Sequence, residues 1–159
     1  MNRIFLGIDP GTTRIGYGVI EERAGTLHPL AWGIIGTPGK DSQADKQSAA
    51  RQLADLLATW KPHAAGVERL FFMNNKRSAM SVSEMRGVLM LALATHQIPV
   101  HEFTPLQVKQ RVCGHGGAKK AQVEQMVRLI LRIQERITPD DAADALAIAL
   151  CCATAQDPR

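Results

Sequence analysis

Residues 3–9, Arg-Ile-Phe-Leu-Gly-Ile-Asp, are apolar almost throughout until the closing acid, as befits a strand covered on both faces. Asp9-Pro10-Gly11-Thr12 follows, with proline in the second position and glycine in the third, which is tight-turn chemistry. Gly16–Ile20 and Leu27–Ile35 read as two further strands, and connections this short favour an antiparallel meander. The spacing then becomes helical over residues 44–60, where Leu53, Leu56, Leu57 and Trp60 share a face and Pro62 follows the end. Ala64–Glu68 is a short fourth strand. Residues 78–96 are helical again through Met85, Val88, Leu89 and Ala92, and residues 99–103 form a fifth strand.

Thr104-Pro105-Leu106-Gln107 is a capping-box start for a brief helix that Gly114-His115-Gly116-Gly117 breaks. A helix over 119–135 aligns Val123, Met126, Val127, Ile130 and Leu131. Thr138-Pro139 opens a last helix that is apolar nearly all round and is therefore expected to be buried. The order βββ-α-β-α-β-α-α-α predicts an α/β fold with a mixed five-stranded sheet flanked by helices, for which the RNase H-like architecture is the natural candidate.

At 159 residues the chain is expected to be one domain over 1–159 with a loose tail in its last few residues. No segment approaches the roughly 20 apolar residues of a membrane span, and the opening apolar run is too short for a signal peptide. Cys113, Cys151 and Cys152 are odd in number and lie in no zinc-like spacing. Free thiols and a cytoplasmic location are the expectation. Nineteen basic residues against fifteen acidic ones give a net charge of +4, so the distribution of charge says more than its total.

The informative residues are four acids. Asp9 and Glu68 close two strands, and Asp141 and Asp144 open the alanine-rich helix. Each has an ordinary explanation. Asp9 suits the first position of a Pro-Gly turn, and Glu68 a solvated strand end. Asp141, with Thr138 as N-cap, suits the third helical position, where a carboxylate favours the helix dipole. Asp144 is harder to explain, because a lone ionised carboxylate one turn into a buried helix costs several kcal/mol. It lies three residues from Asp141, so the two share a face, whereas Asp140 points elsewhere. Anions brought together repel unless a cation sits between them. Oxygen-only ligands select Mg2+ or Mn2+, and a pair of such ions serves phosphodiester hydrolysis.

Basic residues gather in two loops. One is Met73-Asn74-Asn75-Lys76-Arg77-Ser78, just beyond Glu68. The other runs from Lys109 and Arg111 to Lys119 and Lys120. Both can track phosphates. Of the adjacent pair Phe71 and Phe72, one is expected to face outward, where a ring stacks on bases or wedges between them.

Asp9-Pro-Gly-Thr-Thr-Arg-Ile-Gly-Tyr-Gly18, Val67-Glu68-Arg-Leu-Phe71, Val108-Lys109-Gln and Asp141-Ala-Ala-Asp144-Ala-Leu-Ala together resemble the RuvC family of bacterial Holliday junction resolvases, over nearly the whole chain. The resemblance implies a homodimer that makes paired symmetric nicks in two strands of like polarity at a four-way DNA junction. It further implies metal binding at Asp9, Glu68, Asp141 and Asp144, a wedge at Phe71, and basic active-site residues at Lys109 and Lys120. The branch-migration proteins RuvA and RuvB are implied as partners. Asp9-Pro-Gly-Thr12-Thr13 also resembles the phosphate loop of actin-like sugar kinases, which need a second related domain. A nuclease of the same fold acting on structured RNA is the nearer rival, and a non-catalytic DNA-binding scaffold a third.

Overall fold

A computed structural model of the chain describes residues 2–40, 42–70 and 76–155, without the side chains of Lys76 and Arg77. The strands are β1 (Arg3–Asp9), β2 (Arg14–Arg23), β3 (Thr26–Gly36), β4 (Ala64–Glu68) and β5 (Val100–Phe103). The helices are α1 (Gln43–Trp60), α2 (Lys76–Thr95), α3 (Pro105–Cys113), α4 (Lys120–Leu131) and α5 (Asp140–Ala155). The sheet order is β3-β2-β1-β4-β5. β1, β2 and β3 pair antiparallel, while β4 and β5 extend the sheet in parallel beyond β1. This is the mixed five-stranded sheet expected from the sequence, in an RNase H-like fold.

Alternation along β1 sends its side chains to two cores. Leu6 and Ile8 meet Leu53 and Leu57 of α1 and Met85, Leu89 and Leu93 of α2. Phe5 faces the other way, among Leu146, Ala149 and other α5 residues, with α3 and α4 outside them. Eleven of the twelve residues from Ala142 to Ala153 in α5 are buried, Asp144 being the exception. The helix lies inside the molecule, as its composition requires.

A row of glycines lets α5 come so close. Gly18, Gly7 and Gly66 stand abreast on β2, β1 and β4. A Cβ on Gly7 would lie 1.9 Å from the Ala145 carbonyl oxygen and 2.5 Å from the Ala149 nitrogen. On Gly18 and Gly66 it would meet Leu146 and Ile148 inside 3.0 Å. The helix backbone therefore rests on the bare backbone of three strands, and its position is set by contact between rigid parts.

Two expectations need correction. The helix expected to reach 135 stops at Leu131, because Arg132 turns left-handed (φ 57°) and its N–H returns to the Arg128 and Leu129 carbonyls. Ile133 and Ile137 remain buried beyond it, so the apolar spacing outlasts the helix. The last helix starts at Asp140, its first turn closed by Ala142 N–H to the Pro139 carbonyl at 3.0 Å. Asp141 is thus its second residue, and Thr138 is not its N-cap. On α2, Met80 and Leu91 are exposed, while Met90 packs against the α1 side of the core. The capping box of α3 forms as read, with Thr104 and Gln107 exchanging hydrogen bonds at 3.1 and 2.9 Å.

Candidate active site

β1 and β4 run parallel and end together, Ile8 beside Val67, so Asp9 and Glu68 stand next to each other at the carboxyl edge of the sheet. Asp9 shares its face with Gly7 and Phe5, and Glu68 with Gly66 and Ala64, which is the α5 face. The turn carrying Asp9 is pinned from behind, since Thr37 N–H donates to the Thr13 carbonyl at 3.1 Å. Asp9 also pairs with Gly16 on β2. A Cβ on Gly16 would fall 2.0 Å from the Asp141 carbonyl oxygen. The start of α5 is therefore seated beside Asp9, and Asp144 follows one turn later.

The consequence is electrostatic. Burial raises the Asp9 pKa to about 8, with further upward pushes from Glu68, Asp144 and Asp141. Burial likewise raises Glu68 to about 7, with Asp144 adding and Lys120 opposing. Asp144 is raised too, by burial first, against its pairing with Lys120. Three of the four acids thus have an unusual hold on their protons. Basic side chains engage the two helix acids: Lys120 Nζ lies 2.9 Å from Asp144 and an Arg14 guanidinium nitrogen 3.2 Å from Asp141. The Asp144 hydrogen bond is also the main cause of the upward shift of Lys120. Among the described residues no three such side chains already close on one point as a finished metal cage.

Lys109 joins Glu68, Lys120 and Asp144 around a hollow of about 220 Å³ whose remaining wall is Pro105, Val108, Val123 and Ala147. Lys119 is exposed just ahead of α4, and Ser78 is exposed on α2. The Arg111 guanidinium lies over the Phe103 ring, 5.6 Å from the centroid. Asp140 is exposed and 3.8 Å from Arg136. Lys76 and Arg77 open α2. The expectations for Phe71, Phe72, Asn74 and Asn75 lie outside the described residues.

Arg14 escapes a reading of the sequence by clusters of like residues, because it stands alone at the start of β2. The available signal is register: if Asp9 pairs with Gly16 in a tight meander, residue 14 returns to the same edge of the sheet.

An RNase H-like sheet whose carboxyl edge gathers four acids beside two lysines defines a nuclease class, one that hydrolyses phosphodiester bonds. The family profile described as crossover junction endodeoxyribonuclease RuvC matches residues 5–152. A protein of that name from Heliobacterium modesticaldum is 48% identical over 151 residues, covering 94% of this chain and 93% of the relative. One from Petrotoga mobilis is 43% identical over 149 residues, covering 93% and 91%. The structure of T. thermophilus RuvC in complex with a Holliday junction substrate superposes with a TM-score of 0.90 at 34% identity, over 97% of this chain and 94% of that one. The chain belongs to the RuvC family of crossover junction endodeoxyribonucleases. None of the helices among the described residues is long and apolar enough to cross a membrane.

Proposed function

We propose that this chain is a cytoplasmic, metal-dependent endonuclease that resolves four-way DNA junctions by paired nicks in two strands of like polarity. The observation that carries the reading is the gathering of Asp9, Glu68 and the two α5 acids at one sheet edge, with the proton affinities of Asp9, Glu68 and Asp144 raised by burial and by neighbouring carboxylates. Such a cluster costs folding energy, and a divalent cation relieves it. The donor set fits a hard ion, since every group is a carboxylate. Asp9, Glu68, Asp141 and Asp144 would hold Mg2+ or Mn2+, two ions in the full site. The bound ions supply an activated water and neutralise charge on the phosphate.

The chain's own residues do the rest. The strand ends and α5 fix the acids on rigid elements. Lys109 and Lys120 bring positive charge to the rim, where a phosphodiester arrives. To hold a cation, Asp141 and Asp144 would give up their pairs with Arg14 and Lys120, leaving both basic side chains to face the DNA. Replacing Arg14 by Ala is therefore expected to tighten Mn2+ binding about two- to fivefold in calorimetry, the weight of an exposed ion pair. In an Asp141→Asn background the same change should do nothing. An equal gain in both backgrounds would remove Arg14 as a competitor for that acid.

Met80 and Leu91 are 66% and 69% exposed on α2, and Gly87 between them leaves open space. This face suits a two-fold seam with a second copy, giving one site for each of two symmetry-related strands. RuvA and RuvB are the partners the family reading supplies. Phe71, with Phe72 as alternative, is the wedge. Phe71→Ala should lower junction cleavage by at least about tenfold, the scale of one lost base stack, while leaving binding to plain duplex unchanged. Equal loss in both assays would refute the wedge role.

The deciding experiment compares cleavage of a four-way DNA junction with cleavage of structured RNA, in Mg2+ and Mn2+, for wild type and Asp9→Asn. Metal-dependent cutting of the junction alone, lost in the variant, is the expected result. Preferential cutting of RNA would favour the RNA-directed reading.

A further inference from the structure

Glu68 and Arg69 are consecutive at the end of β4 and so leave it on opposite faces. Glu68 joins the acids on the α5 side, while Arg69 falls on the side of Val67, where α1 and α2 pack. There, Arg69, Leu70, Ser83, Arg86 and Glu102 line a hollow of about 260 Å³. Its floor is rigid. Arg86 of α2 is largely covered, donates from Nε to the Glu68 carbonyl at 3.2 Å, and holds the Glu102 carboxylate of β5 with its guanidinium. Arg69 is looser, 60% exposed, with Nε 3.6 Å from that same carboxylate. Two guanidinium groups thus share one carboxylate, leaving the hollow one positive charge in excess.

We propose that this hollow is a second DNA site, in which Arg69 binds a backbone phosphate of the junction strand passing on the α2 side. This rests on the junction-cleaving reading above. The ligand class follows from the chemistry: a guanidinium fork matches two phosphate oxygens, and one excess charge matches one phosphodiester anion. The placement gives the site a role that Lys109 and Lys120 cannot fill. Adjacent residues of a strand have Cα atoms about 3.8 Å apart, and Arg86 ties α2 to the very residue that carries the Glu68 carboxylate. A phosphate held by Arg69 is therefore kept in fixed register with the acid cluster, so the strand crossing and the cut are measured from one rigid strand end.

The test is junction binding by fluorescence anisotropy over a range of salt, beside thermal melts, for wild type, Arg69→Ala, Arg69→Lys and Glu102→Gln. Arg69→Ala should weaken binding roughly five- to tenfold and reduce the slope of log affinity against log salt by about 0.9, one phosphate contact. Arg69→Lys should keep the slope. Glu102→Gln should tighten binding, because it releases the two arginines from their shared anion. A purely structural ion pair predicts the opposite, loss on removing either partner. Unchanged affinity and slope in Arg69→Ala, or weakened binding in Glu102→Gln, overturns the proposal. Failure of the broader reading looks different: wild type itself would then fail to cut the junction when metal is supplied.

Discussion

Asp9→Asn is expected to lose junction cleavage by roughly 10³-fold or more in saturating Mg2+ or Mn2+, while binding the junction at least as tightly as wild type. Asp9 stands at the centre of the acid group, its proton affinity raised by all three of the others. Asparagine preserves its size and one acceptor oxygen but removes the charge that a hard cation needs. The same change takes a negative charge away from the path of a polyanion, so binding has no reason to fall. Gel-resolved single-turnover cleavage and anisotropy on the same junction separate the two effects. Normal cutting by the variant would end the metal-site reading.

The same variant should melt higher than wild type when metal is withheld, and the pH dependence of that gain has a definite sign. The Asp9 pKa rises from 3.8 to about 8 on folding. Below pH 4 the group is protonated in the folded and unfolded chain alike, and nothing is lost. Between pH 4 and 8 the unfolded chain releases a proton that the folded chain keeps, so stability falls as pH rises. Above pH 8 the penalty is complete. Asparagine never ionises, so its advantage should be absent near pH 4 and largest near pH 8. A gain of about 2 kcal/mol would raise Tm by roughly 4–8 °C in a chain of this size. Addition of Mn2+ should erase the advantage by stabilising wild type alone. A melting difference that does not depend on pH would show that the Asp9 carboxylate is not strained by its burial among the other acids.

The sequence exposed the strands and most helices because each had a clear period and clear punctuation. The β4 stretch Ala64–Glu68 and the Thr104–Gln107 cap came out as read. Errors came where tertiary packing continued a pattern after local structure had ended. Ile133 and Ile137 are buried without being helical, so they extended the apparent reach of α4. The four acids were legible because carboxylates at strand ends and on an alanine-rich helix are conspicuous. Their pairing was not. Arg14 and Lys120 meet acids at positions 141 and 144, and Arg86 meets Glu102 and the Glu68 carbonyl. These contacts depend on which strands and helices lie side by side, and no local spacing records that.

Gly7→Ala should be the most damaging conservative change in the core. A methyl group is ordinarily welcome in a strand, since alanine restricts the unfolded chain more than glycine does. At Gly7 the added carbon would stand 1.9 Å from the Ala145 carbonyl oxygen and 2.5 Å from the Ala149 nitrogen. Both obstacles are backbone atoms of a regular helix, so no rotamer change makes room. α5 must lift from the sheet, and it is wedged between β1, β2 and β4 on one side and α3 and α4 on the other. Overpacking of this kind costs about 3 kcal/mol or more, which would lower Tm by roughly 6–12 °C. Gly36→Ala is the control, because nothing lies within 4 Å of its would-be Cβ, and it should melt within about 0.5 kcal/mol of wild type. Any Gly7→Ala protein that still folds carries Asp141 and Asp144 on a displaced helix, apart from the Asp9 and Glu68 carboxylates that the strands hold in place. Its Mn2+ affinity should fall along with its stability, although no acid has been touched. If the variant melts like wild type, α5 is not seated on bare strand backbone and the acids owe their arrangement to something else.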